Sequence, residues 1–172
     1  AKDNCLINTT LKRLVLGCSE SVIPDDMGIV YIEEFAFTNA ALMQSIVIPQ
    51  GVTTVYARAF EGCTSLKNVS LPESLKTISD YAFFGCSALE AIEFPRNFKT
   101  IGSYAFSECT SLKSLDIGNY IEQVGEAAFK NCTGLKTLVI GRLSSWSNSD
   151  VYFGKSAFEG CYALETVDVT AT

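Results

Sequence analysis

Five cysteines, Cys63, Cys86, Cys109, Cys132 and Cys161, recur at spacings of 23, 23, 23 and 29 residues. Thiols in such a register are candidates for a disulfide stack, a thiolate metal site or a nucleophile. Cys5 and Cys18 bring the count to seven, an odd number that leaves at least one thiol unpaired within a monomer. No Cys-x-x-Cys occurs, which removes the usual redox and zinc-ribbon arrangements. No histidine occurs either. Ser-His-Asp and Cys-His catalysis are therefore excluded within the chain, as is imidazole ligation of zinc, copper or haem. If the period marks a stack of coils, in-register rungs lie about 4.7–5 Å apart, whereas a disulfide needs facing Cβ atoms about 3.8 Å apart. The five ladder cysteines are thus expected to be buried free thiols acting as small hydrophobes. Cys5 and Cys18 are the one plausible bridge.

The remaining chemistry would have to come from carboxylates. Asp25-Asp26 and Glu33-Glu34 are adjacent pairs that point in different directions on an extended chain. Glu93 and Asp116 come closer to a facing pair, because they occupy one column on neighbouring rungs. An exposed sheet face supplies no burial to raise a carboxyl pKa for glycosidase chemistry, and two carboxylates are few ligands for Ca²⁺. No catalytic residue, metal site or cofactor is assigned, and enzyme activity is not expected. The net charge of −6 and a pI near 4.7 argue against nucleic acid. No apolar run approaches the roughly 18–20 residues of a membrane span, so this segment is not expected to insert in a membrane.

The elements that position these residues follow from the repeat. Ala-Phe pairs end at Phe37, Phe60, Phe83, Phe106, Phe129 and Phe158, and the cysteines stand three residues later, with Ala40 in the first copy. Three further on come Met43, Leu66, Leu89, Leu112, Leu135 and Leu164, then pairs such as Val69/Leu71 and Leu115/Ile117. Apolar residues two apart predict a strand with one face buried. Pro49, Pro72 and Pro95 end the early strands; Gly118 and Gly141 end later ones. A second β-branched stretch follows, as at Thr77-Ile78, and the Ala-Phe segment then turns the chain, expected as a single helical or 3₁₀ turn. No coil buries its apolar face alone; stacking identical coils does so, which predicts a solenoid with Phe, Cys and Leu ladders.

Two stretches break the period. Gly141–Tyr152 carries the six extra residues of the long repeat, rich in serine around Trp146. At the N-terminus, Val22-Ile23-Pro24 matches Val47-Ile48-Pro49, and Asn4–Gly17 reads as a hairpin that covers the open end of the core. One domain spanning 1–172 is expected, with 1–18 as the hairpin cap and 19–172 as about six repeats.

The unit Leu66-Lys-Asn-Val-Ser-Leu-Pro-Glu-Ser-Leu-Lys-Thr-Ile78, followed by Ala82-Phe83-Phe-Gly-Cys86, resembles the BspA-like leucine-rich repeat. Asn4-Cys5-Leu6-Ile7, with Gly17-Cys18 and Val22-Ile23-Pro24-Asp25, is similar to a hairpin repeat found in such arrays. The resemblance implies a leucine-rich-repeat solenoid: a right-handed superhelix, formally α/β, mostly of short parallel strands. It also implies a bacterial (or protist) secreted or cell-surface protein that binds host-matrix or other cell-surface proteins. The hairpin unit usually sits within longer arrays, which implies one segment of a larger protein. Ala40 at a cysteine position, the 29-residue repeat and Thr170 in place of Pro or Gly depart from the pattern.

For partner binding, the open strand face offers small residues with acid toward the centre, including Glu93 and Asp116. Aromatics in otherwise polar columns are the other candidates: Tyr81, Phe84, Tyr104, Tyr120, Trp146 and Tyr162. The alternatives to a protein-binding module are a rigid spacer in a larger surface protein and a weak carbohydrate or Ca²⁺ binder. Charges after the ladder leucines (Lys67, Glu90, Lys113) alternate in sign and read as register-fixing ion pairs. The last strand, Leu164–Val169, is an open edge, for which further repeats beyond residue 172 or end-to-end self-association is expected.

Overall fold

The computed structural model describes residues 4–118, 120–141 and 151–169. It contains thirteen short strands and, among the described residues, no helix. Six coils stack, each named here by its ladder Phe from coil 1 (Phe37) to coil 6 (Phe158). Coils 1, 2, 4 and 5 run through an Ala-Phe turn, a strand and a second, two-residue strand; among the described residues, coil 3 lacks the first of these strands and coil 6 the second.

The two-residue strands form one long sheet. The hairpin β1 (Leu6–Asn8) and β2 (Arg13–Leu16) is antiparallel, and β2 adds in parallel to β3 (Tyr31–Ile32). The sheet then continues in parallel through β5 (Thr54–Val55), β7 (Thr77–Ile78), β8 (Thr100–Ile101), β10 (Gln123–Val124) and β12 (Tyr152–Phe153). The second residue of each of these strands points inward, and Ile32, Val55, Ile78, Ile101 and Val124 are fully buried. This one position per coil is enough to select the register, since a one-residue slip would expose the whole column.

The strand side is discontinuous. β4 (Ser45–Val47) pairs with β6 (Asn68–Ser70), and β9 (Ser114–Asp116) pairs with β11 (Thr137–Ile140) and β13 (Thr166–Val169). Between the two sheets, coil 3 forms no strand, and only the isolated bridge Glu93–Asp116 remains. Coil 3 carries Phe94 where the other coils have Ile48, Leu71, Ile117, Ile140 and Val169. It also carries Phe98 where Val52, Leu75 and Ile121 stand. These two rings stack at 4.7 Å, and Phe94 meets the ladder Phe106 edge-on at 5.9 Å. Two aromatic rings in a slot sized for aliphatic side chains overfill it, and the strand ladder is lost at coil 3 although Glu93 keeps the 23-residue register with Asp116.

The Ala-Phe segment is not the helical or 3₁₀ turn expected from sequence. Residues two before and two after each ladder Phe have positive φ, such as Tyr81 (59°), Gly85 (70°), Tyr104 (56°) and Glu108 (64°). Left-handed residues thus alternate along the turn. The amides at those two positions and at the Phe donate to the next coil, as in Tyr81 N–H to Ser103 O (2.9 Å), Phe83 N–H to Ala105 O (2.8 Å) and Gly85 N–H to Ser107 O (2.9 Å). The intervening amides close bonds within the coil, such as Phe84 N–H to Tyr81 O (3.0 Å). A continuous helix would direct all its amides along its own axis and leave none for the neighbouring coil. Left-handed backbone costs about 1–2 kcal/mol for a residue with a side chain, and the bonds between coils offset it.

Inside this turn the ladder rings stack face to face. Their centroids lie 4.9, 4.9, 5.2, 5.3 and 5.4 Å apart from coil 1 to coil 6. The hairpin closes the first coil: a Cβ on Gly17 would stand 1.9 Å from the Phe37 ring, so only glycine fits there.

Candidate functional site

Each ladder thiol donates a hydrogen bond to the carbonyl of the Phe in the preceding coil. Cys63, Cys86, Cys132 and Cys161 bond Phe37, Phe60, Phe106 and Phe129 at 3.2 Å, and Cys109 bonds Phe83 at 3.4 Å. None of the seven cysteines forms a disulfide. Burial pushes the Cys109 thiol well up. The neighbouring thiol and then burial do the same at Cys86 and Cys132. These three thiols are therefore held protonated, whereas the neighbouring thiol pulls Cys63 and Cys161, toward the two ends of the column, below the ordinary value. Sequence reasoning treated these residues as small hydrophobes and missed the donor role. The signal was present: alanine takes the position only in coil 1, where no earlier ladder Phe offers a carbonyl.

At the N-terminal cap, the Ser21 hydroxyl donates to the Asn4 carbonyl (2.9 Å) and accepts from the Cys18 amide (2.7 Å). Cys5 is buried and Cys18 exposed, and both remain thiols.

Glu93 and Asp116 are brought together as bridge partners, both exposed on the strand face. The Asp116 carboxylate accepts the Gly118 amide at 2.8 Å. Among the described residues, no group of three His, Cys, Asp or Glu side chains is placed to hold a metal. The break in the sheet opens a cleft of about 350 Å³ lined by Asn68, Ser70, Glu73, Ala91, Glu93 and Phe94. A second cleft, of about 430 Å³, lies on the other side of Ala91–Phe94 and includes Ser114 and Asp116. Among the described residues, no backbone partner is found for the amides of Leu71 or Ala91.

A wider groove of about 900 Å³ continues the same face toward the N-terminus, lined by Val22, Pro24, Asp25, Val47, Pro49 and Pro72. Val22 and Val47 are 67% and 65% exposed. These two valines were missed as candidates. They stand in a column that reads Ser70, Glu93 and Asp116 in the following coils, so the polar-to-apolar change was visible in the repeat alignment.

The aromatic candidates divide. Tyr81 and Tyr104 stack at 4.9 Å, and Phe84 tilts against Tyr81 at 5.7 Å. The Arg58 guanidinium covers Tyr81 at 4.5 Å and is itself held by Glu61 at 3.0 Å. Tyr81 therefore lies between a cation and a second ring, which leaves little of its face for a sugar. Tyr120 sits apart, beside Phe94 and Arg96 in a further cleft. Tyr162 is 88% exposed on coil 6. Trp146 lies outside the described residues. Of the expected charge ladder, Glu90 pairs with Lys113 (2.7 Å); Lys136 and Glu165, which follow the ladder residues Leu135 and Leu164, pair at 3.5 Å.

A family model described as BspA type leucine-rich repeat region matches six copies over residues 30–165. The chain belongs to the BspA type leucine-rich repeat family. The crystal structure of a leucine-rich repeat protein from T. pallidum superimposes with a TM-score of 0.78 at 23% identity, over 95% of this chain and 78% of that one. A leucine-rich cell surface protein from Faecalibacterium prausnitzii gives 0.65 at 32% identity, over 75% and 32%. The pneumococcal vaccine antigen PcpA gives 0.69 at 24% identity, over 81% and 36%. The chain thus spans about a third of the length of the latter two. No curated protein matches. Within a BspA type repeat, then, the Ala-Phe-x-x-Cys step is a structural device.

Proposed function

We propose that this chain is a non-catalytic protein-interaction module of a secreted or cell-surface protein, and that it binds an extended partner segment along the strand face. The observation that carries this reading is the break at Ala91–Phe94. It exposes backbone donors and acceptors inside a cleft, and an extended peptide can take up such groups as an added strand does. Glu73, Glu93, Asp116 and Asp25 surround the line of clefts, so the partner segment is basic, with an apolar residue for the Val22–Val47 groove. Surface display is supported by the relatives described as a cell surface protein and a vaccine antigen. The carbohydrate alternative loses support from the covered face of Tyr81, and the Ca²⁺ alternative from the small ligand set at Glu93 and Asp116.

The test is binding to a panel of extracellular-matrix and cell-surface proteins by surface plasmon resonance. Val47→Asp with Glu93→Lys should abolish binding, whereas Tyr81→Ser with Phe84→Ser should leave it. The reverse pattern would place recognition on the turns. Absence of binding by the unaltered chain would favour the spacer, and loss on adding chelator would favour a Ca²⁺ site.

A further inference from the structure

One column at the rim of the strand face changes sign along the stack. The residue after each strand-ending proline reads Asp25, Gln50, Glu73 and Arg96, all exposed. Glu73 and Arg96 stand on neighbouring coils, yet among the described residues neither forms an ion pair. Arg13 and Arg58, by contrast, are held by Glu33 and Glu61. An unpaired guanidinium keeps its planar fork of donors for a carboxylate from outside. Arg96 also borders a cleft of about 350 Å³ that spans coils 3 and 4, lined with Phe94, Pro95, Phe98, Ile117 and Tyr120. Phe98 and Ile117 are buried and make an apolar floor. Phe94 is half-buried and stacks on Phe98, and Tyr120 is 55% exposed. Tyr81 is enclosed by Arg58 and Tyr104, whereas among the described residues no cation covers the Tyr120 ring.

We propose, resting on the strand-face binding of an extended partner given above, that this cleft is the anchoring pocket of that face and takes an aromatic side chain flanked by a carboxylate. The clefts beside Ala91–Phe94 are lined largely by small and acidic residues. Here two accessible rings and an Arg converge, the residue types that carry most of the energy in protein interfaces. The partner is then basic where it crosses Glu73 and Glu93 and turns acidic beside Arg96. That change of sign fixes its placement. A uniformly basic segment would set a cation against Arg96, and the reversed placement would set a carboxylate against Glu73. Asp116 competes little for Arg96, because its carboxylate already accepts the Gly118 amide at 2.8 Å. Coils 2 and 3 lie one rung apart, with their ladder rings at 4.9 Å. Extended chain rises about 3.3 Å per residue, so with side-chain reach the base and the acid stand about two to four residues apart in the partner. An aromatic ring suits the floor of Phe98 and Ile117, against which the hydroxyls of an acidic sugar would lose their hydrogen bonds.

Selection of a random peptide library displayed on phage against the full chain tests this with no partner named in advance. Retained peptides should carry Lys or Arg and, about two to four residues away, Phe, Tyr or Trp next to Asp or Glu. For a synthetic peptide of that pattern, Arg96→Glu should weaken binding by about tenfold or more. Exchanging the peptide's acid for Lys should restore binding to Arg96→Glu and abolish it on the parent chain. Tyr120→Ala should weaken the same peptide and leave the melting temperature unchanged, since that ring is exposed. Peptides that bind Arg96→Glu as tightly as the parent, but still lose affinity on Glu93→Lys, overturn the anchoring pocket and leave the strand-face reading standing. Peptides indifferent to both substitutions overturn that reading as well. Retention of no peptide also overturns the proposal, and Arg96-dependent binding of tetragalacturonate would then give the cleft to an acidic sugar.

Discussion

The turn side and the strand side of this molecule are built from the same six coils, yet only one of them is continuous. On the turn side, three backbone bonds, a ring stack and a thiol–carbonyl bond repeat at each of the five junctions. On the strand side, the ladder stops at coil 3, where Phe94 and Phe98 replace aliphatic residues. The turn side tolerates no interruption because the amides that point along the stack have backbone partners only in the adjacent coil. The strand side faces solvent, so water can satisfy a broken ladder. The stack is thus held together at the turns, and the strand face can accept irregularities that open clefts.

The sharpest way to break this contrast is to damage the turn side at its centre. Phe106→Ala removes the ring between Phe83 and Phe129 and should cost about 3–5 kcal/mol in denaturant unfolding. A loss below about 1 kcal/mol would mean that the ring stack does not hold the coils.

The thiol ladder gives the next effect. Cys109→Ala leaves the Phe83 carbonyl without its side-chain donor and opens a small cavity, a cost of about 1–3 kcal/mol. The same residue makes stability depend on pH. Its folded pKa is raised, so the unfolded thiol ionises first as pH rises past the ordinary value of 9.0. The contribution is fully present below pH 9.0 and is lost as pH climbs toward the folded value. Denaturant midpoints measured from pH 8 upward should fall, and fall less steeply in Cys109→Ala. A midpoint as pH-dependent in the variant as in the parent would remove the ladder thiol from the account.

Repairing the strand side tests the other half of the contrast. Phe94→Leu with Phe98→Leu should restore a strand in coil 3 and protect the Leu71 and Ala91 amides from exchange by about tenfold. If those amides stay unprotected, the aromatic pair is not what parts the sheet. The smallest effect belongs to the exposed pairs. The Lys113 hydrogen bond holds the Glu90 carboxyl below its ordinary value. Exposed ion pairs of this kind add little. Lys113→Ala should therefore leave the melting temperature nearly unchanged; a clear drop would show that charge, too, sets the register.

The repeat was legible because the solenoid imposes one residue type per column. Six copies of Ala-Phe with Leu, or Met43 in the first copy, six residues later identify the coil, the inward positions and the family. The turn conformation was less legible. The column two after each Phe reads Asn39, Gly62, Gly85, Glu108, Asn131 and Gly160, which favours left-handed backbone. The column two before it, with Arg58, Tyr81 and Tyr104, carries no such signal. Those residues are held left-handed by bonds to the next coil, and a local propensity cannot report a bond to a residue 22 positions away.

By itself, the sequence determined the period, the columns that face inward and the absence of histidine chemistry, because each depends on residue identity at a fixed spacing. Only the tertiary structure decided where the strand ladder breaks, why the buried cysteines are thiols bonded to carbonyls, and which way the turns present their amides. Those properties arise between coils. They depend on how a Phe of one coil crowds its neighbour, and on which carbonyl the next coil brings within reach.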